Sequence, residues 1–384
     1  MKENLLIIYA FRKTKLRSSY ANNLMCFKKY LKKVNVFYCC FDLQNEKSLN
    51  FFDKIPFDYI LFDNSILYYR DASKEEWERF LDKFSKKRGI WQNAVKGILP
   101  QDEYRGVERI REFVQVAGID VIYTLAGKKA RDIFYPKEQL HYKKIYTIFP
   151  GYIDEADQKY CAKKLKKNKF HNRQYDIGYR ARKPTYALGD LGFLKTAIPE
   201  VFQMKAEQNG LNANIGNTDG RGAKNTFYGR KWFDFLFDCR VVPGSLSGAS
   251  IMDVDGMLAK KVDYYLRQDP KRSYELFKKD FLWLLEGNAV YDPPSPRIFE
   301  AAMTKACQVL VEGNYRIMKP GIDYIELKSD FSNIDDVFEK IQDKDYCEAI
   351  AENAYRHLVA SNKYTYRIFV NNVYRSLSRV KHGN

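Results

Sequence analysis

The chain is poor in the residues that build metal centres and disulfide frames. It has four histidines, and none stands in an HExxH or HxH arrangement. Its seven cysteines, Cys26, Cys39, Cys40, Cys161, Cys239, Cys307 and Cys347, include no CxxC pair. An odd, dispersed count argues for reduced, mostly buried thiols and against a disulfide scaffold or a zinc site. No metal is expected. Long apolar runs are missing too, since no window reaches the ~18 consecutive apolar residues a membrane-spanning helix needs. The opening MKENLLIIYAF is too short for the apolar region of a signal peptide and has no small-residue cleavage site after it. It reads as a first buried strand, and a cytoplasmic location is expected. Repeats, low-complexity tracts, RNA-recognition signatures, zinc-finger spacings and basic zippers are all missing.

What is present is length, apolar content and positive charge. The 384 residues are 45% apolar and 15% aromatic, enough for two domains with a core each. The net charge of +17 favours anionic partners: phosphorylated ligands, an acidic lipid surface or nucleic acid. The densest basic run is Lys163-Lys164-Leu165-Lys166-Lys167-Asn168-Lys169. It reads first as a solvated helix face and loop. The sharper alternative is peripheral contact with an anionic inner membrane face, where each basic residue contributes about 1 kcal/mol.

Short apolar runs alternate with helical patterns along both halves. Strands are expected at 5–11, 34–41, 59–62, 94–100, 120–124 and 142–149, with helices at 20–33, 73–87 and 106–117. Ser73 followed by Glu76 predicts a capping box. After a connecting helix at 155–167 the pattern restarts. Strands are expected at 174–179, 211–215, 239–243, 308–312 and 324–327. Helices are expected at 191–203, 228–237, 270–286, 296–307, 333–341, 345–360 and 364–376. Strands alternating with helices imply parallel sheets covered on both faces. Two such units imply an α/β chain of two Rossmann-like, doubly wound domains with a central cleft. Ligands in such folds sit outside the carboxyl ends of the strands.

Three segments carry candidate chemistry. The first is Ser295-Pro-Arg-Ile-Phe-Glu-Ala, where proline opens a helix and Arg297 and Glu300 follow near its amino end. Glu300 either accepts hydrogen bonds from two vicinal hydroxyls, as a ribose presents, or stabilises the first turn with Arg297 as partner. The second is Tyr175-Asp-Ile-Gly-Tyr-Arg-Ala-Arg182, with Lys195 downstream. A guanidinium fork suits phosphate oxygens, so Arg180 and Arg182 are candidates beside Lys195. An ordinary basic loop leaving a sheet is the alternative. The third comprises two glycine-rich loops, Gly216-Asn-Thr-Asp-Gly-Arg-Gly222 and Pro243-Gly-Ser-Leu-Ser-Gly-Ala-Ser250. The second offers Gly244, Ser245, Ser247 and Gly248 to a ligand. Neither is a Walker loop.

The first two segments, with Gly313-Asn-Tyr315, Tyr324-Ile-Glu-Leu-Lys328 and Asp330-Phe-Ser-Asn333, resemble the C-terminal domain of bacterial family-1-like glycosyltransferases of the GT-B type, the group related to the CgeB proteins. The resemblance covers roughly residues 175–374, and the first half only in pattern. It implies that Glu300-Ala301 binds the donor ribose, with Asp292 eight residues before it as a second acid. Gly178 would let the backbone approach the donor, and Arg180, Arg182 and Lys195 would neutralise its diphosphate. It implies transfer of a sugar from a nucleotide-diphospho-sugar to a glycan or lipid-linked acceptor in surface polysaccharide, lipopolysaccharide or glycoprotein assembly. No cofactor and no metal would be needed, and Asp253-Val-Asp255 reads as structural or donor-lining.

The implied division is an acceptor-side domain at 1–152, a linker at 153–173, a nucleotide-sugar domain at 174–360, and a final helix at 361–384 packing back on the first domain. Inverting transfer needs a base for the acceptor hydroxyl. Asp102 and Glu103, just after a strand of the first domain, are the acids expected there, and Asp63 is their rival. The alternatives are a non-catalytic nucleotide-binding scaffold of the same fold, and a basic nucleic-acid-binding protein.

Overall fold

Each half of the chain builds its own parallel sheet. The structure is a computed structural model, and it describes residues 2–10, 18–45, 47–218 and 226–383. Phe11 of the first expected strand and Asp219, Gly220, Arg221 and Gly222 of the first glycine-rich loop lie outside the described residues.

The first sheet holds β1 (Asn4–Ala10), β2 (Asn35–Phe41), β3 (Tyr59–Phe62), β4 (Val95–Ile98), β5 (Val121–Thr124) and β6 (Lys144–Thr147). Their order is β2-β1-β3-β4-β5-β6, all parallel. Side chains alternate across a strand, and here both faces are buried. Leu6, Ile8, Ile60 and Phe62 enter one core with the helices Lys74–Ile90 and Val107–Ala117. Leu5, Ile7, Tyr59 and Leu61 enter the other. The helix Lys74–Ile90 begins where the sequence places it, because the Ser73 side chain accepts from the Glu76 N–H at 3.2 Å.

The second sheet holds β7 (Tyr175–Arg182), β8 (Ala213–Thr218), β9 (Cys239–Gly244), β10 (Cys307–Val311) and β11 (Ile325–Leu327), in the parallel order β11-β10-β9-β7-β8. Strand order therefore reverses between β7 and β9, which makes the crevice above them the place for a ligand.

The chain crosses between the lobes more than once. Ile153, Cys161 and Phe170, in the expected linker, are built into the cores of the second lobe. Ala289 and Tyr291 from the second half are buried in the core of the first. The last helix, Tyr366–His382, returns to the first lobe and seats Val370, Val373 and Leu377 against it. Its entry is fixed where Ile153 exchanges backbone hydrogen bonds with Tyr364 and Tyr366, at 2.9 and 3.1 Å.

Three expectations need correction. The helix expected to run to Cys307 ends at Thr304, because Lys305 turns left-handed at φ 52°, and Cys307 opens β10. The helix expected at 270–286 starts only at Tyr274, where Ser273 caps it, and widens after Phe277 into π-type turns. Helices at Lys128–Phe134 and Leu258–Gln268 were not anticipated. The second buries Val262 and packs Leu258, Ala259 and Leu266 half-buried beside it, an apolar stripe at helical spacing that sequence reasoning missed. Among the described residues, no helix is long and apolar enough to cross a membrane.

Candidate functional site

A cavity of about 530 Å³ opens between the lobes at the carboxyl ends of β7, β9 and β10. Tyr104 and Arg105 of the first lobe form one wall. The lobes are joined beside it by backbone pairing. The Gly106 N–H donates to the Asp253 carbonyl at 2.7 Å, and the Asp253 N–H donates to the Tyr104 carbonyl at 2.7 Å.

The lining is strongly cationic. It includes Arg105, Arg180, Arg182, Lys183, Lys195 and Arg297, against the single acid Asp253. Which of these charges is available decides the chemistry. Arg105 pairs with Asp71. Arg180 is buried and turned back into the sheet. Its guanidinium donates to the carbonyls of Tyr179 and Asn214, each at 2.7 Å, and lies 4.7 Å from the Phe235 ring centroid. The expectation that its guanidinium is free for a phosphate is thereby corrected, because its donors are engaged within the sheet.

Arg297 is exposed. It donates to the Arg180 carbonyl and stacks 5.1 Å from the Trp232 ring. The side chains of Arg182, Lys183 and Lys195 have no hydrogen-bond or ion-pair partner among the described residues. Burial pushes the Lys195 amine down to about 8, the Arg297 charge adds to this, and Asp102 across the cleft opposes it. A cavity that holds unmatched positive charge is built to receive an anion.

Helix termini contribute less than the sequence suggests. The helix Gly189–Gln208 points its amino end toward the cavity, but two of its first-turn donors are taken. Glu286 accepts from the Asp190 N–H at 3.2 Å, and the Ser250 hydroxyl accepts from the Leu191 N–H at 3.3 Å. Charge neutralisation therefore falls to side chains.

Of the remaining expected residues, Gly178, Gly244, Ser245 and Ser247 line the cavity. At Gly178, however, a Cβ would meet Cys239 Sγ at 2.1 Å, so glycine is required for strand packing, not for ligand approach. Gly248, at φ 105°, does not line the cavity, and a Cβ there would lie 1.9 Å from the Tyr291 carbonyl. It lets the loop pass the Tyr291 backbone. Glu300 is set back from the cavity as well. It accepts from the Trp232 indole N–H at 2.7 Å, and Trp232 is the lining residue. Burial pushes the Glu300 carboxyl up, and the Trp232 N–H and Arg297 oppose this. Asp292 stands near Arg316, and its carboxyl is also raised by burial. Asp255 is an exposed turn cap, accepting from the Met257 N–H at 2.8 Å.

The two candidate bases, adjacent in sequence, part company. Asp102 is exposed at φ 52°; it is not among the lining residues, but its charge reaches the Lys195 amine. Glu103 is fully buried. It accepts from the Thr124 hydroxyl at 2.6 Å, the Leu125 N–H at 2.7 Å and the Tyr135 hydroxyl at 2.6 Å. No acceptor hydroxyl can reach it, which corrects the expectation that either acid could serve. Asp63 is buried too, and it caps the following turn by accepting from Ser65 at 3.0 Å.

Sequence reasoning missed Tyr104, Trp232 and Gln308 as lining residues. Gln308 had a readable signal, a glutamine inside the apolar run Cys-Gln-Val-Leu-Val.

No protein-family model matches this sequence, and no curated protein matches it. Solved structures do. The crystal structure of Anabaena Alr3699/HepE in complex with UDP-glucose aligns over 97% of this chain and 99% of that one, with 12% identity and a TM-score of 0.51. A sucrose-phosphate synthase from Thermosynechococcus elongatus aligns over 98% and 100%, with 8% identity and a TM-score of 0.48. A glycosyltransferase from Rickettsia africae aligns over 100% and 99%, with 12% identity and a TM-score of 0.45. The chain has the GT-B fold.

Proposed function

We propose that this protein is a glycosyltransferase that moves a sugar from a nucleoside-diphosphate sugar to an acceptor hydroxyl held against the first lobe. The observation that carries this reading is the interlobe cavity, with Arg182 and Lys195 unpaired on the second-lobe side and Asp102 exposed on the first. The Anabaena protein of the same fold holds UDP-glucose. In this chain the diphosphate would lie between Arg182, Lys195 and Arg297, whose charges stabilise the leaving group without a metal. Arg297 and Trp232 would flank the nucleoside, and Glu300 acts as a positioning residue through Trp232. Asp102 would take the acceptor proton if configuration inverts.

The finer assignments are part of the same proposal. They are kinship with the CgeB-related group, a glycan or lipid-linked acceptor in surface polysaccharide, lipopolysaccharide or glycoprotein assembly, and peripheral contact with an anionic membrane face in the cytoplasm.

The test is a thermal-shift screen against nucleoside diphosphates and nucleotide-sugars, followed by assay of released nucleoside diphosphate with the best donor. Specific binding raises Tm by mass action. Asp102→Asn is expected to keep the shift and to lose roughly 10²- to 10⁴-fold in turnover. A screen in which none of these ligands raises Tm would sink the reading.

A further inference from the structure

At the opposite, amino-terminal edge of the first sheet, away from the cleft, lies a second cavity of about 350 Å³. The entrance to β4, the entrance to β5, the end of the helix Lys74–Ile90 and the last turn of the helix Tyr366–His382 enclose it. We propose that this cavity is a second anion site, in which Lys96, Arg88 and Lys143 bind a phosphate dianion or the phosphomonoester end of a larger molecule.

Lys96 sits inside β4 and is 5% exposed, yet among the described residues its amine has one hydrogen-bond partner, the Ala94 carbonyl at 3.5 Å. Among the described residues the only acid lining the cavity is Asp120, and both its oxygens are engaged. One accepts from the Lys96 backbone N–H at 2.9 Å, and the other pairs with Lys143 at 3.0 Å. Lys381, at the rim, is committed to Asp58 and Glu3. Arg88 is exposed and reaches only the Gln115 carbonyl, at 3.4 Å. Gly118, at φ 65°, leaves space beside it, since a Cβ there would lie 3.1 Å from Arg88 Nε.

A buried ammonium without a counter-charge is unfavourable, and burial with the charges of Arg88 and Lys143 pushes the Lys96 amine down while Asp120 opposes. An oxyanion seated among the three cations supplies the missing partner, and a guanidinium beside two ammonium groups matches phosphate oxygens. No aromatic ring lines the cavity, so no base or sugar is stacked, and the anion itself carries recognition. The phosphate can be free, or it can be the headgroup of a lipid.

Inorganic phosphate, titrated at constant ionic strength into the full chain, is the first probe, with calorimetry and Tm as readouts. Lys195→Ala weakens the cleft in the same titration and should leave this site unaffected. The expected result is saturable binding in the wild type and in Lys195→Ala, weakened at least 10-fold in Lys96→Met and reduced in the surface variant Arg88→Gln. NMR of the Lys96 amine in the wild type should show its pKa rising when phosphate is added. Flotation with phosphatidic acid vesicles, against phosphatidylcholine alone, distinguishes the sources. Flotation lost in Lys96→Met assigns the headgroup, and phosphate binding without flotation assigns the free anion. Phosphate binding unchanged in Lys96→Met, or a Lys96 amine indifferent to phosphate, would overturn the proposal, as would a wild type that responds to neither probe.

Discussion

Replacing Lys195 by methionine separates what its amine does to the empty fold from what it does for a ligand. The folded-state value of about 8 lies below the ordinary 10.5. At 1.36 kcal/mol per unit, holding that amine charged disfavours the folded state by about 3 kcal/mol at neutral pH. Water reaching the half-open cleft reduces the figure, so about 1–3 kcal/mol is expected. The sign follows from proton binding. Below pH 8 the amine is charged in both states and the penalty is whole. Between about 8 and 10.5 the unfolded chain holds more protons, so stability rises with pH.

Lys195→Met should therefore raise the Tm of the free protein at pH 7, at about 2–4 °C per kcal/mol for a domain of this size, and abolish the rise in stability above pH 8. It should also weaken nucleoside-diphosphate binding roughly 10- to 100-fold, from loss of a charged contact worth about 1.5–3 kcal/mol. Thermal melts from pH 6.5 to 10, with and without UDP or GDP, measure both effects. A variant that melts lower than wild type and keeps its nucleotide shift would refute the reasoning.

Other substitutions test neighbouring claims. Arg182→Ala should leave stability within about 0.5 kcal/mol of wild type while weakening the nucleotide shift. Arg180→Ala should do the reverse, losing about 2–4 kcal/mol of stability because it strips the Tyr179 and Asn214 carbonyls of their buried donor and leaves the space beside Phe235 empty. Equal effects of both on nucleotide binding would contradict the assignment. Glu103 is raised by burial to about 7, above the ordinary 4.5. Its contribution to stability is whole below pH 4.5 and is lost as pH rises through 7. In denaturant melts Glu103→Gln should flatten that slope, and a slope left unchanged would show that Glu103 does not titrate there.

Much of the fold was legible because its signals are local. Runs such as Leu5-Leu6-Ile7-Ile8 and Tyr59-Ile60-Leu61-Phe62 bury both faces, and their length and β-branched or aromatic content mark them as strands. The site was legible at the level of loops. The basic end of β7, the glycine-serine loop after β9 and the helix beginning at Arg297 all reach the cavity.

Which side chain does the work was not legible, because that depends on depth and long-range neighbours. Arg180 and Arg182 share a face by strand periodicity. Arg180 lies one pair deeper, opposite Gly216, where the absent side chain leaves room for its guanidinium to fold onto Asn214. Asp102 and Glu103 differ through one backbone angle, the φ of 52° at Asp102 that turns its neighbour inward. Glycines at 178 and 248 looked like ligand approaches because their constraint comes from Cys239 and Tyr291, far away in sequence.

The unmatched charge in the cleft persists only if the lobes cannot slide to bring an acid over it, and Arg316 is placed to prevent that. At φ 61° on the second lobe, it sends its guanidinium into the first, donating to the Leu125 carbonyl and, at 2.9 Å, to the Ile148 carbonyl. Those carbonyls follow β5 and β6, at the carboxyl edge that faces the cleft. On the other flank, the pairing of 104–108 with 253–254 fixes the second boundary. Two charged hydrogen bonds contribute about 3–6 kcal/mol between them before desolvation, and about half of that net. Arg316→Ala should therefore unlock one flank only. Hydrogen exchange should rise at 125–127 and 148–150 and stay unchanged at 104–108. Nucleotide affinity should fall although Arg316 touches no lining residue's charge, because part of the binding energy then goes into aligning the lobes. Exchange that rises equally on both flanks would mean the two contacts form one cooperative hinge, and the independent-clamp picture would fail.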